Sequence, residues 1–249
     1  MKNELGILGN RERVGRALPL RVAIQGVRGA FHEIAARQFF GEKIEVVPAL
    51  SFSELFEKTA DPAHTDAAVV AIENSIAGSI LGNYKLLVNS RLAVLGEVYL
   101  RIQQNLLAMP GVSMEDLREV HSHPMALAQC AEFFKPWPRI RLVESDDTAE
   151  SAARIMRHRA KHIGAIASTL AAEIYGLAML APNIETVPEN YTRFLVVCRR
   201  EGAAPVPDAN KVCVCFTTPH EPGSLARVLT LLAAEGANLT KIQSVPILG

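Results

Sequence analysis

No charge of one sign dominates this chain, no long apolar run interrupts it, and cysteine is scarce. Each shortage excludes a class of function. Across 249 residues, 26 Lys and Arg balance 26 Asp and Glu, for a formal net charge of zero. A general binder of polyanions carries a basic excess, so no nucleic-acid partner is expected. The densest basic patch is Arg154, Arg157, His158, Arg159, Lys161 and His162. It falls at the end of a predicted helix, where cations suit the helix dipole and face solvent. No stretch approaches the ~20 apolar residues of a membrane span, so no membrane partner is expected. The first 18 residues, MKNELGILGNRERVGRAL, lack the apolar core of a secretory leader. Residues 1–19 read as a loose N-terminal extension.

The four cysteines, Cys130, Cys198, Cys213 and Cys215, show no disulfide-framework spacing. Cys213 and Cys215 share one face of a predicted strand near His220, but no second pair completes a zinc site. No metal is expected. Free, mostly apolar-flanked thiols fit a reducing cytosol, so the expected location is cytoplasmic.

What the chain does have is 49% hydrophobic content, ample for a core, in one large or two small domains. Strand runs are predicted at 21–25, 44–48, 67–72, 120–121, 139–144, 164–167, 177–180 and 194–197, with strand-like runs over 93–108. Helices are predicted over 30–40, from 53, after 78–82, over 125–134, from 147, and over 169–175. Ser51 or Ser53 caps the second of these. Asp147 and Glu150 are spaced as a capping box, and Gly176 is placed to end the last helix. The alternation implies an α/β architecture with largely parallel sheets. Ligands of such sheets bind outside the carboxyl ends of the strands.

Three segments place small polar residues where a strand stops. In 68–80, AVVAIENSIAGSI, a buried run delivers Glu73, Asn74 and Ser75, then Gly78 and Ser79. In 120–134, VHSHPMALAQCAEFF, a strand end delivers Ser122 and His123 before an amphipathic helix. In 183–200, NIETVPENYTRFLVVCRR, the polar cluster Glu189, Asn190, Tyr191, Thr192 and Arg193 stands directly before the apolar run 194–198. Free backbone N–H groups at such ends bind anions.

These segments resemble prephenate dehydratase. The collinear motifs are QGVRGAFHEIAA (25–36), AIENSIAGS (71–79), SHPMALAQC (122–130), DDTAESAA (146–153), GAIAS (164–168), YGLAMLAPNIE (175–185) and NYTRFLVV (190–197). The resemblance implies a periplasmic-binding-protein-like catalytic domain over 20–200. Lobe 1 would comprise about 20–100 and 185–200, lobe 2 about 101–184, with the active cleft between them. It implies conversion of prephenate to phenylpyruvate, carbon dioxide and water. Aromatisation drives that reaction, so no metal or other cofactor is required.

On this resemblance Thr192, of the TRF motif, contacts the departing hydroxyl, whereas an isolated threonine there would cap or fill a strand. Asn74 and Ser75 would donate to substrate oxygens or cap a helix. Gly29, Ala30, Glu73, Gly78, Ser79, Ser122, His123, Thr148 and Ser168 would line the substrate site, with Gly78 and Ser79 forming an N–H nest. Arg193 would pair with a substrate carboxylate or with a buried acid, and Phe194 would wall the cleft. The family's first glycine motif usually holds a proline and a hydroxyl residue where this chain has Val27 and His32. A hydroxyl is lost from the cleft there, or an imidazole replaces it.

Residues 201–210, EGAAPVPDAN, read as a linker. After it, 211–216 reads as a strand, and Leu225, Val228, Leu229 and Leu232 form one helix face that Gly236 ends. This 211–249 segment resembles the start of an ACT regulatory domain. PGSL (222–225) and QSVP (243–246) stand where that family has PGAL and ESRP. Gly223, Ser224, Leu225, Asn238 and Leu239 would contact L-phenylalanine as effector. Only β-α-β of a βαββαβ unit is expected, from a truncated product or with the missing half supplied by another chain. The family implies a homodimer or homotetramer. Two alternatives remain: arogenate as substrate, or a non-catalytic two-lobed anion-binding protein.

Overall fold

The computed structural model of the chain describes residues 12, 13, 16, 17, 19–201, 203 and 209–244. Most of the predicted linker, most of the N-terminal extension, and Val245 and Pro246 of the QSVP signature lie outside the described residues. The chain divides into two units, Met1–Val206 and Pro207–Gly249.

Within the first unit, β1 (Glu12–Arg13) and β2 (Arg16–Ala17) pair antiparallel inside the segment read as a loose extension. Lobe 1 follows as β3 (Leu20–Gln25), α1 (Phe31–Phe40), β4 (Ile44–Ala49), α2 (Phe52–Ala60), β5 (Ala67–Asn74), β6 (Gly78–Ser79), α3 (Leu81–Asn89) and β7 (Leu92–Arg101). The chain then crosses through 102–104 into lobe 2. There it forms β8 (Asn105–Ala108), β9 (Glu119–Ser122), α4 (Pro124–Gln129), α5 (Ala131–Phe134), β10 (Arg141–Glu144), α6 (Thr148–His158), β11 (Ile163–Ala167), α7 (Thr169–Tyr175) and β12 (Ala178–Ala181). It returns through 182–190 to lobe 1 as β13 (Tyr191–Arg199).

The lobe 1 sheet has the order β4-β3-β5-β13-β7, with β6 on β5, and the lobe 2 sheet β10-β9-β11-β8-β12. The sheets are mixed rather than largely parallel. β3 is parallel to β4 and β5, and β9 to β10 and β11. The strands on either side of the two crossings, β7, β8, β12 and β13, pair antiparallel. A strand entered straight from the other lobe, with no crossover helix, arrives in the reverse sense.

Period-two alternation builds two cores on β13. Phe194, Val196 and Cys198 face α1 and its Ala35 and Ala36. Leu195 and Val197 face Leu55 and Phe56 of α2. Full burial of a side chain as large as Phe194 contributes roughly 1.5–3 kcal/mol. The α1-side core runs on without a break into lobe 2 through Ala149, Ala152, Ala167 and Ala171. Small residues stand along much of that continuation, and at Gly29 the turn before α1 comes close to Ala171 of α7.

Helix starts follow the cap chemistry read from sequence. The Ser51 hydroxyl accepts from Glu54 N at 3.2 Å, and the Asp147 carboxylate from Glu150 N at 2.8 Å. The single predicted helix over 125–134 is instead α4 and α5, meeting at Cys130.

In the second unit the described residues hold one regular element, α8 (Ser224–Ala234). The predicted strand over 211–216 does not form: among the described residues no strand pairs with it, and Val212 is 82% exposed. A strand needs a neighbour for its backbone groups. The predicted β-α-β is therefore present only as its helix among the described residues. On α8, Val228, Leu229 and Leu232 are half-buried, while Leu225 is exposed.

Candidate active site

The carboxyl ends of β3 and β5 and the amino end of the reversed strand β13 lie at one edge of the lobe 1 sheet. This is the edge at which open α/β sheets bind ligands. Thr192 and Arg193 lie inside β13, not in a loop before it, and Thr192 pairs in register with Asn74. The run 194–198 marked only the apolar part of that strand.

Asn74 organises this edge. Its side-chain oxygen accepts from Ile76 N at 3.0 Å and Ala77 N at 2.9 Å, which fixes the amide orientation. Its NH₂ group donates to Asn190 Oδ1 at 2.7 Å and Thr192 Oγ1 at 3.0 Å. A threonine hydroxyl has one hydrogen. With Asn74 donating to Oγ1, that hydrogen is left to donate elsewhere. Thr192 is 8% exposed.

Asn74 and Ser75 were open between donating to substrate oxygens and capping a helix. Asn74 instead spends its donors on Asn190 and Thr192. Ser75 spends its hydroxyl on β13: Oγ donates to Glu189 O at 3.0 Å and accepts from Tyr191 N at 2.9 Å. Both fasten the loop after β5 to the start of β13. Gly78 and Ser79 form no helix N-terminus; they make a short hairpin, Glu73 opposite Ser79 and Asn74 opposite Gly78. Helix α3 starts later, at Leu81.

Side chains alternate along β13, so Arg193 points to the sheet face opposite Thr192. Its guanidinium pairs with Glu97 at 2.7 Å and with Glu73 at 3.4 Å, and lies 6.0 Å from the Tyr99 ring centroid. Burial works against its charge, but the two carboxylates hold its pKa above the ordinary arginine value. Of the two readings open for Arg193, the geometry matches the ion pair, with Glu97 as the close partner and Glu73 as the longer one.

The turn before α1 meets lobe 2. Gly29 N donates to Glu33 Oε2 at 2.7 Å, and the buried Glu33 carboxylate pairs with Arg37 at 2.7 Å. Glu33 thereby ties the first turn of α1 back to the turn before it, while Ala30, the N-cap residue, makes no side-chain capping bond. Ser168 caps α7, accepting from Ala171 N at 3.0 Å, and its hydroxyl donates to Gly29 O at 2.6 Å. Tyr175 OH donates to Arg28 O at 2.7 Å. A Cβ on Gly26 would lie 2.5 Å from Asp147 Oδ2. Burial raises the pKa of Asp147.

The remaining candidates divide. Thr148, half-buried, opens α6 beside Asp147. His123 caps α4, its Nδ1 accepting from Met125 N at 3.2 Å, and is exposed. Ser122 is fully buried and donates to Ile166 O at 2.7 Å, a bond from β9 to β11 within lobe 2. Phe194 is buried in the core against the His32 ring at 4.9 Å, edge to face. In the second unit, Gly223, Ser224 and Leu225 stand at the start of α8, and Asn238 and Leu239 beyond its end. An 11-residue helix, about 16 Å long, separates these two groups.

Two groups escaped the sequence reading. Gln129 of α4 accepts from Asn190 Nδ2 at 2.9 Å and, through its carbonyl, from Thr186 N at 2.8 Å. A chain of amides thus runs from Thr192 through Asn74 and Asn190 into lobe 2. Glu97 of β7 is the other, and it holds Arg193. Gln129 lies in the 122–130 motif and Glu97 in the strand-like run 93–108, yet nothing in the spacing shows which strand they meet.

His32, the departure in the first glycine motif, is 9% exposed, and burial pushes its pKa down to about 3. Its folded pKa lies below the unfolded value near 6.5, so protonation favours unfolding. Its contribution is therefore full above about pH 6.5 and is lost as pH falls toward about 3. Between pH 7 and pH 5 this residue is expected to remove about 2 kcal/mol of stability. Denaturant melts of wild type and His32→Leu across that range check it: the variant's acid-side slope should be shallower, and equal slopes would refute the assignment.

The sequence matches the prephenate dehydratase family model over residues 22–202. It is 43% identical over 228 residues to arogenate dehydratase 2 of Petunia hybrida, covering 92% of this chain and 57% of that one. The chain spans about three fifths of the length of curated relatives such as this one. Among solved structures, a prephenate dehydratase from Arthrobacter aurescens in complex with L-Phe superposes with a TM-score of 0.78 at 28% identity, covering 91% of this chain and 76% of that one. GqqA, described as a novel type of quorum-quenching acylase, superposes with a TM-score of 0.76 at 29% identity, covering 92% and 82%. With the family model matching well over half of its length, the chain belongs to the prephenate dehydratase family.

Proposed function

We propose that this chain converts prephenate to phenylpyruvate, carbon dioxide and water, in the lobe 1 edge built by Thr192, Asn74 and Asn190. In that reaction the ring carboxylate leaves as CO₂ and its bonding electrons enter the ring. The ring C–O bond breaks, and the departing hydroxide takes up a proton to become water. The observation that carries the reading is the Asn74-to-Thr192 hydrogen bond at 3.0 Å, which commits the threonine hydroxyl as a donor. A neutral hydroxyl is a weak acid, so its role is a hydrogen bond that strengthens as negative charge grows on the departing oxygen. Asn190 and Gln129 hold that donor against lobe 2, and orientation of this kind supplies much of a catalytic effect.

Arogenate is the second reading, favoured by the 43% identity to an arogenate dehydratase. It carries an amine in place of the side-chain ketone, and the same dehydration yields phenylalanine. Steady-state assays on both substrates decide between them. A kcat/KM for prephenate at least equal to that for arogenate is expected; the reverse order would reassign the substrate, and no turnover of either would overturn the enzyme reading.

L-phenylalanine is the proposed effector, supported by the bound L-Phe in the similar Arthrobacter protein. Its proposed contacts, Gly223, Ser224 and Leu225 with Asn238 and Leu239, stand at opposite ends of α8. A homodimer or homotetramer would let the two groups meet from different copies. A reducing, cytoplasmic setting is proposed from the buried free thiols Cys130 and Cys198; burial, with Glu185 nearby, pushes Cys130 up to about 12.

A further inference from the structure

His32 is a buried imidazole whose Nε2 has no hydrogen-bond partner among the described residues. Buried polar atoms are nearly always partnered, and each exception calls for a reason. Its position supplies one. His32 is the second residue of α1, at the ligand-binding edge of the lobe 1 sheet. Its ring stands 4.9 Å from Phe194 and 5.7 Å from Phe52. Phe194 follows Thr192 by two residues on the same face of β13, about 7 Å along the strand. The orphan imidazole thus lies against Phe194, which shares its strand face with the Thr192 hydroxyl. Phe52, which lies against the imidazole, is only half-buried and opens α2.

We propose that His32 is a substrate-binding residue: its Nε2–H donates to a carboxylate of the bound substrate, with the Phe52 ring turning aside to admit it. The proposal rests on the dehydratase reading, in which Thr192 already serves the departing hydroxyl and the other anionic groups are carboxylates. The deep burial that lowers its pKa keeps the ring neutral near pH 7. A neutral donor suits a carboxylate that must leave as CO₂, because an ion pair there would be strongest before the bond breaks and would oppose departure. Arg193, on the opposite face and paired with Glu97, does not compete for this place.

The test compares wild type, His32→Leu and His32→Gln in steady-state turnover of prephenate and in thermal unfolding. Loss of a hydrogen bond to a charged group should raise KM about 10-fold or more in His32→Leu, with a smaller change in kcat. The midpoint of unfolding should hold or rise, because an orphan buried nitrogen has gone. His32→Gln, which keeps a donor, should recover part of the lost KM. An unchanged KM in His32→Leu overturns the proposal. So does a fall in midpoint with equal KM losses in both variants, the pattern of a purely structural residue. If the leucine variant does not fold, a nitrogen-15 titration of the wild-type His32 ring with prephenate decides: a shift supports the contact, and an unmoved resonance overturns it. Absence of wild-type turnover would sink the dehydratase reading alone, and the same titration would still judge His32.

Discussion

Thr192→Val is expected to lower kcat on prephenate by about 10²–10⁴-fold, the range for loss of a positioned proton donor. Valine keeps the shape and removes the hydroxyl. The Asn74 amide loses its 3.0 Å acceptor but retains Asn190 and, at 3.3 Å, the Tyr191 carbonyl. One weakened donor at a partly open edge costs about 1 kcal/mol, too little to unfold the lobe. The rate should therefore collapse while the unfolding midpoint moves only slightly. KM should change little, because the interaction strengthens only as the C–O bond breaks. Thr192→Ser keeps the donor and should retain a substantial share of the rate. Parallel losses of rate and midpoint in the valine variant would instead mark Thr192 as a strand filler.

The second large effect belongs to the seam between the lobes. Gly29 has φ +88°, and a Cβ there would lie 2.9 Å from Ala171 Cα and 3.0 Å from Ala171 Cβ. Gly29→Ala therefore combines backbone strain with a clash against α7 that no rotamer relieves. The combined cost is roughly 2–4 kcal/mol, with a fall in unfolding midpoint of about 5–15 °C for a domain of this size. Gly41 is the control, with φ +84° and no atom within 4 Å of its would-be Cβ. Gly41→Ala should show the strain alone. Thermal unfolding of the two variants separates the terms: the excess loss at Gly29 measures how tightly α1 and α7 dock. Equal losses would mean that the seam yields and does not fix the lobes. Because Ser168 donates to the Gly29 carbonyl, the same variant should also raise KM.

Most of the first unit was legible because its elements are locally coded. The run at 68–72 is a central strand, Ser168 and Gly176 bracket α7, and Asp147 caps α6 as its spacing implied. The antiparallel strands were not legible, since strand sense depends on where the chain re-enters a sheet and not on side-chain period. The polar start of β13 was hidden for a related reason. Tyr191, Thr192 and Arg193 look like loop residues, and only pairing with β5 and β7 draws them into the strand.

The site was legible as a set of residues and much less as a set of roles. Asn74 does meet Thr192, while Ser75 bonds to the backbone of Glu189 and Tyr191. An isolated amide or hydroxyl in a sequence carries no sign of which partner it will take, because protein and substrate oxygens are equivalent to it. Arg193 was open between substrate and acid, and strand alternation placed it with Glu97. The strand over 211–216 was misjudged because its apolar alternation specifies a face but cannot supply a neighbour.

The central claim is that this chain removes both groups from prephenate at Thr192, and its most direct test follows the ring carboxylate. Wild type is incubated at neutral pH with prephenate carrying carbon-13 in that carboxylate, beside a protein-free blank and Thr192→Val. The account predicts labelled CO₂ and phenylpyruvate in equal amounts from wild type, well above the blank, and near-blank amounts from the variant. Label retained in the product, or equal rates from wild type and variant, would contradict it.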